Sequence, residues 1–182
     1  RPLNPITLAL ASGATFVARV LDIDAKGMQA VLKAAAAHKG TSFVEIYQNC
    51  NIFNDGAFAS LSDKAVRDDH TIWLEQGKAL VYGKNRESGL RLNGLKLESV
   101  KLSDGFTESD LLNFDATQDD STLAYLLSQM NDPSLPVPFG IFKNIEKPTY
   151  ESLFADHHSE SKKQNDKDLE KLINAGQVWK VD

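Results

Sequence analysis

The chain has 182 residues, 42% of them hydrophobic, so it is long enough to bury a core in one domain. Its 25 Asp and Glu residues outnumber its 20 Lys and Arg residues, and the net charge of −5 excludes nucleic acid as an expected partner. No apolar run approaches the roughly 20 residues of a membrane span. The single cysteine, Cys50, rules out an internal disulfide and is typical of a reducing compartment, which we take to be the cytoplasm.

The first part of the chain predicts an α/β unit. Residues 15–20 (TFVARV) are typical of a strand, Asp24 is a good N-cap for the helix formers of residues 25–37, and residues 41–47 (TSFVEIY) predict a second strand. This order indicates a right-handed parallel crossover. Parallel strands need neighbours on both sides and helices on both faces. We therefore expect further strands before Arg1, so that the chain begins inside a domain.

The remainder predicts smaller elements. Residues 71–74 form a short apolar run, and the glycine-separated segments at residues 79–82, 90–93 and 98–102 indicate short antiparallel strands. A capping box predicts a helix from Thr107 to about Asn113, and an amphipathic pattern predicts another at residues 121–130. Residues 139–143 follow a proline and predict an edge strand. Two further helices are expected at residues 150–157 and 169–175, joined by a charged, mobile segment at residues 159–168.

Cys50 is the most informative position. It comes just after the second predicted strand, and ligands of open parallel sheets gather at the carboxyl ends of the strands. Its neighbours Gln48, Asn49 and Asn51 carry polar groups able to donate hydrogen bonds to a thiolate or a sulfide. A lone cysteine cannot complete a zinc or iron–sulfur site, which takes about four ligands, so any fellow ligands are expected before Arg1.

Two other interpretations of Cys50 stay open. The thiol is either a small buried hydrophobe, or a nucleophile with a histidine as base. The candidate bases are His38, His70, His157 and His158. No phosphate-binding loop and no glycine-rich dinucleotide fingerprint follows either predicted strand.

Two segments around these elements resemble a known family. Residues 10–19 (LASGATFVAR) and 40–55 (GTSFVEIYQNCNIFND) resemble the end of the thiamine-diphosphate domain in the β subunit of 2-oxoacid:ferredoxin oxidoreductases. Segments further on resemble the carboxyl-terminal extension of the longer-tailed branch of that family, at residues 89–94, 121–130 and 133–143. The resemblance covers nearly the whole chain and is weakest in the charged tail.

The resemblance implies a fold and its division. Residues 1–54 would be the carboxyl-terminal part of a three-layer α/β thiamine-diphosphate-binding domain, with a parallel sheet and helices on both faces. Residues 55–182 would form an irregular α+β extension that packs on this domain and on a partner chain.

The resemblance also implies a reaction, the coenzyme A-dependent oxidative decarboxylation of a 2-oxoacid, with electrons passed to ferredoxin. Its cofactors would be thiamine diphosphate with Mg²⁺ and a [4Fe–4S] cluster, for which Cys50 would be a ligand supported by Asn49 and Asn51. Asn49 stands where many relatives have proline. We associate the asparagine variant with the 2-oxoglutarate-using branch of the family. The implied partners are an α subunit, in a dimer of αβ heterodimers, and ferredoxin.

The Gly-Asp-Gly motif that binds magnesium and diphosphate in this family has no counterpart in the chain, so the chain alone is expected to be inactive. Two alternatives stand beside this hypothesis. A non-redox thiamine enzyme of the decarboxylase type would use Cys50 only as a core residue. A cofactor-free binding module would fold as a monomer that leaves no parallel sheet edge exposed.

Overall fold

The computed structural model describes residues 3–130, 133–164, 169–177 and 179. It forms two compact units, Arg1–Lys147 and Pro148–Asp182. Among the described residues, no helix combines the length and the apolarity that crossing a bilayer requires.

The larger unit contains both sheets. Its helices are α1 (Pro5–Ala11), α2 (Ala25–Ala37), α3 (Ala59–Ser62), α4 (Arg67–His70) and α5 (Thr122–Ser128). Its strands are β1 (Phe16–Leu21), β2 (Ser42–Tyr47), β3 (Thr71–Leu74), β4 (Val81–Tyr82), β5 (Ser88–Asn93), β6 (Lys96–Lys101) and β7 (Val137–Asn144). Short 3₁₀ turns cover Leu102–Asp104 and Glu108–Asp110.

The predicted crossover from β1 through α2 to β2 is confirmed. The Asp24 carboxylate accepts a hydrogen bond from the Gly27 N–H at 3.1 Å and so begins α2. β1 and β2 run parallel, with Phe16 opposite Ser42 and Leu21 opposite Tyr47. Local capping and strand-forming residues therefore determine this part of the fold.

The main sheet is mixed, which corrects the expectation of a parallel sheet. Its order is β2-β1-β7-β3, with β7 antiparallel to β1 and parallel to β3. β7 and β3 join β1 from later in the chain, β2 has no second neighbour among the described strands, and the strands expected before Arg1 stay a prediction. β2 lies at the edge, and its Ile46 is 45% exposed. An open edge of this kind is not what the binding-module alternative predicts.

β7 was expected to be an edge strand and is an interior strand. β1 pairs with residues 140–144 of β7, whereas β3 pairs with residues 137–140, so the two neighbours overlap only at Gly140. Pro138 lies outside the ladder with β1, and its missing N–H therefore costs that ladder nothing. At the overlap Gly140 has φ +107°, and a Cβ there would lie 3.2 Å from the Leu74 carbonyl oxygen. Glycine tolerates the positive φ and has no Cβ to contact the Leu74 carbonyl oxygen.

Helices cover both faces of this sheet. On one face Val17 and Phe142 pack with residues of α1 and α5, including Ile6 and Leu127. On the other face Phe16, Ala18 and Val20 pack against Val31 of α2. Successive residues of β1 thus point to opposite faces of the sheet and pack in two different hydrophobic cores. The architecture is a three-layer α/β arrangement, and the assignment of residues 1–54 to a thiamine-diphosphate domain stays a prediction.

The second sheet, with the order β4-β5-β6, confirms small antiparallel strands in the segments 79–82, 90–93 and 98–102, whereas the apolar run at residues 71–74 forms β3 of the main sheet and is parallel to β7. The capping box at Thr107 is present, but it starts a single 3₁₀ turn and not a helix to Asn113. After this turn, the main-chain groups of Leu112 form hydrogen bonds with the segments around Leu80 and Leu90. The Leu112 N–H donates to the Leu90 carbonyl oxygen at 2.9 Å, and the Leu112 carbonyl oxygen accepts from the Leu80 N–H at 2.8 Å. These groups are therefore not available for a helix.

The smaller unit contains helices α6 (Tyr150–Gln164) and α7 (Leu169–Ile173). Thr149 caps α6 as expected, since its Oγ1 accepts a hydrogen bond from the Ser152 N–H at 3.3 Å. The helix continues past residue 157 to Gln164, so this part of the segment expected to be mobile is helical. Residues 165–168 of that segment lie outside the described residues.

Candidate functional site around Cys50

The Cys50 loop, residues 48–56, follows the carboxyl end of β2 as the sequence predicts. The Cys50 carbonyl oxygen accepts a hydrogen bond from the Asn54 N–H at 2.9 Å, which closes a tight turn. Cys50 is a free thiol and is partly exposed. Because it is not buried, the structure argues against its interpretation as a core residue.

Asn49 organises this loop. Its Nδ2 donates to Asn51 Oδ1 at 2.8 Å and to Asp55 Oδ1 at 2.9 Å, and its Oδ1 accepts from the Gly56 N–H at 2.9 Å. The structure therefore brings Asn49 and Asn51 into contact with each other, at the base of the turn that carries Cys50. Their amide groups hold the loop together.

These main-chain groups favour the thiolate form of Cys50. Hydrogen bonds from the N–H groups of Phe53 and Ile52 lower the pKa of the thiol, with a smaller contribution from Asn54, and partial desolvation opposes them. A thiolate is both the metal-binding and the nucleophilic form of cysteine. The loop is thus built to stabilise negative charge on this sulfur.

A metal ion would need ligands beyond those that these residues offer. Among the described residues, no three His, Cys, Asp or Glu side chains come close enough to hold an ion. Cys50 and its described neighbours therefore do not make a complete metal site by themselves. A thiolate at the end of a strand, with several N–H donors around it, is chemically suited to serve as one ligand of a metal site.

In the described part of the larger unit, the nucleophile interpretation finds no histidine hydrogen-bonded to the thiol. His38 Nε2 is 2.8 Å from Thr15 Oγ1, and its ring packs beside Phe16. His157 and His158 lie on α6 in the smaller unit.

Sequence reasoning missed two features near this loop. Ile52 and Phe53 are 84% and 89% exposed, so an apolar pair projects beside Cys50. Arg19 of β1 is only 4% exposed, and its Nε donates to Glu45 Oε2 at 2.6 Å. The second feature had a signal in the sequence, because parallel pairing of the two predicted strands puts the one basic residue of β1 opposite the one acidic residue of β2.

The lowered pKa gives a testable pH dependence. In this chain, alkylation of Cys50 by iodoacetamide should reach half its maximal rate at a lower pH than in the urea-unfolded chain. Because the folded pKa is depressed, the stabilisation of the thiolate is present above the unfolded pKa and is lost as pH falls through the folded pKa. Asn49→Ala should move the midpoint towards the unfolded value. Equal midpoints in the folded and unfolded chains would contradict this description of the loop.

Comparison with known proteins gives the family context. No known protein-family model matches the chain. The 2-oxoglutarate oxidoreductase subunit KorB of Mycobacterium tuberculosis is 40% identical over 151 residues, which are 82% of this chain and 40% of KorB. The β subunit of 2-oxoacid:ferredoxin oxidoreductase from Saccharolobus solfataricus is 41% identical over 64 residues, which are 35% of this chain and 21% of that subunit. The chain therefore spans less than half the length of these relatives.

The fold comparison agrees. A chain of 2-oxoglutarate:ferredoxin oxidoreductase from Magnetococcus marinus, solved with 2-oxoglutarate, coenzyme A and succinyl-CoA bound, superposes with a TM-score of 0.60. The match covers 98% of this chain and 46% of that chain at 18% identity, so it shows a shared fold alone. The sequence matches show that this chain resembles part of the β subunits of the 2-oxoacid:ferredoxin oxidoreductases.

Proposed function

We propose that this chain belongs to a subunit that catalyses the coenzyme A-dependent oxidative decarboxylation of a 2-oxoacid, with electron transfer to ferredoxin. The observation that carries the proposal is the 40% identity to KorB over 151 residues. KorB is named for 2-oxoglutarate, and the Magnetococcus marinus protein was solved with that 2-oxoacid bound. We therefore propose 2-oxoglutarate as the substrate.

Cys50 is proposed as one ligand of a [4Fe–4S] cluster. When bound, such a cluster supplies single-electron transfer. The Cys50 loop supports this role through the N–H groups of residues 52–54, which stabilise the thiolate, and through Asn49, which fixes the turn. The side chains of Ile52 and Phe53, next to Cys50 in the loop, are exposed. The remaining ligands are proposed to come from outside this chain.

Thiamine diphosphate and Mg²⁺ belong to the proposal for the assembled enzyme. Among the described residues, no three His, Cys, Asp or Glu side chains come together. No residue of this chain is assigned to that ion, and no step through thiamine diphosphate is derived. The helices on both faces of the sheet support the proposed thiamine-binding domain over residues 1–54.

The proposal includes partners. An α subunit completes the enzyme, two αβ pairs form a dimer, and ferredoxin accepts the electrons in the cytoplasm. The name of the Saccharolobus solfataricus relative, a β subunit, supports the first of these. The open edge at β2 and the exposed Ile52 and Phe53 are surfaces where other segments can pack.

A substrate panel tests this proposal. The subunit as its gene encodes it, assembled with its α partner under anaerobic conditions, should reduce ferredoxin when both coenzyme A and 2-oxoglutarate are present. We expect kcat/KM for 2-oxoglutarate to exceed that for pyruvate at least tenfold. Omission of coenzyme A is the matched control. Release of carbon dioxide without any ferredoxin reduction would support the non-redox thiamine enzyme.

A further inference from the structure

A cavity of about 450 Å³ lies in the larger unit beside the Cys50 loop. Its walls come from β1, β2, β7, α3 and α4, and they include the segment that follows the loop, at Ala57 and Phe58. A space of this size suits a small organic molecule. Neither the proposed reaction nor the role of Cys50 uses this cavity.

Arg19 is the buried charged group in its wall. The Nε of Arg19 donates to Glu45, and Nη1 makes only a long 3.5 Å contact with the Pro138 carbonyl oxygen. Among the described residues, the guanidinium has no further hydrogen-bond partner. A guanidinium carries several N–H donors in a fixed plane, so Arg19 retains donors after binding Glu45. Among the described residues, no buried side-chain nitrogen or oxygen lacks a hydrogen-bond partner, so the remaining donors of this 4% exposed side chain are open to solvent at the cavity wall.

The orientation of this guanidinium is fixed. Its central carbon lies 4.9 Å from the centroid of the Tyr47 ring and 5.6 Å from that of Phe142. Two aromatic rings and one carboxylate thus hold the group before any ligand enters. Preorganised donors lose less entropy on binding than mobile ones.

The remaining wall favours an anion with an apolar body. Among the described residues that line the cavity there is no carboxylate, and the polar ones besides Arg19 are Tyr47, Ser60 and His70. Burial raises the pKa of Tyr47, so its phenol keeps its proton and stays a hydrogen-bond donor at neutral pH. The apolar wall includes Leu61, Met130, Leu135 and Val137.

We propose that this cavity binds a small organic carboxylate, with its carboxylate on the Arg19 guanidinium and its carbon chain against the apolar wall. Arginine N–H groups match the geometry of a carboxylate. A doubly charged phosphate would need more than one cation, and Arg19 already shares its charge with Glu45. The site is independent of the proposed reaction and requires no cluster.

Binding of butyrate to this chain tests the proposal. Butyrate should bind in the millimolar range. Binding can be measured from the chemical-shift changes of the Tyr47 and Phe58 ring signals in NMR spectra. Butyramide has the same shape without the charge and should bind at least tenfold more weakly, as should inorganic phosphate. Failure of butyrate to bind the folded chain, or equal binding of phosphate, would overturn the proposal.

Matched variants locate the site. Arg19→Lys keeps a cation near Glu45 but loses the planar donors, so butyrate affinity should fall about tenfold. Arg91→Lys is the control, because Arg91 also pairs with a glutamate, Glu98, and lies 4.7 Å from a ring, that of Phe106, but does not line this cavity.

A second variant is needed in case Arg19→Lys does not fold. Ser60→Phe retains Arg19 and places a large ring in the cavity, and the exposed position of Ser60 should tolerate the change. It should weaken butyrate binding at least tenfold. Unchanged affinity in Ser60→Phe, or equal losses in Arg19→Lys and Arg91→Lys, would show that butyrate binds elsewhere.

Discussion

Cys50→Ala should reduce the rate of ferredoxin reduction by the assembled enzyme at least a hundredfold. Alanine cannot bind iron, and removal of one ligand from a cluster that needs about four leaves it incomplete. The chain has no second cysteine to take its place. The rate should be measured with 2-oxoglutarate and coenzyme A in excess, and the cluster should be followed by its electron paramagnetic resonance signal after reduction.

Asn85→Ala is the control for this variant, since Asn85 is an exposed residue in the turn between β4 and β5. It should leave both the rate and the signal unchanged. If Cys50→Ala retains a normal signal and a normal rate, Cys50 is not a cluster ligand. If the signal is normal but the rate falls, Cys50 acts in the reaction in another way.

Arg19→Met should lower the free energy of unfolding by about 3 kcal/mol, because it leaves the carboxylate of Glu45 largely buried without its cation. The side chains of Arg19 and Glu45 are only 5% and 15% exposed. The double variant Arg19→Met/Glu45→Gln removes both charges and should recover most of this loss. Urea denaturation of the three proteins measures the difference.

The Arg91–Glu98 pair provides the comparison for that experiment. Its side chains are 35% and 30% exposed, so Arg91→Met should cost less than about 1 kcal/mol. Equal losses for Arg19→Met and Arg91→Met would show that burial does not govern the strength of these pairs. Lack of any recovery in the double variant would show that Arg19 stabilises the fold through its ring contacts alone.

The crossover could be predicted from the sequence because its signals are local. Asp24 caps α2 through a residue three positions away, and the strands on either side carry β-branched residues. The place of β7 could not be predicted in the same way. It pairs with β1 across more than a hundred residues of chain. Pro138 predicted an edge strand, but β1 pairs only with residues after Pro138, so the proline does not prevent β7 from lying inside the sheet.

The position of Cys50 was also predictable, since it follows directly from the end of β2. The groups that lower the pKa of its thiol were not, because they are main-chain N–H groups whose direction depends on the turn. That turn depends on hydrogen bonds between Asn49 and residues as far as Gly56. The cavity beside the loop depends on α3, α4 and β7 meeting β1, which the sequence alone does not specify.

The most direct test of the proposed function is the content of iron and acid-labile sulfide in the subunit as its gene encodes it, purified without oxygen. The [4Fe–4S] proposal predicts about four irons and about four sulfides for each subunit. A subunit that is folded and binds its α partner but contains no iron or sulfide would contradict it. Cys50 would then have no cluster to bind, and the enzyme would be of the non-redox thiamine type.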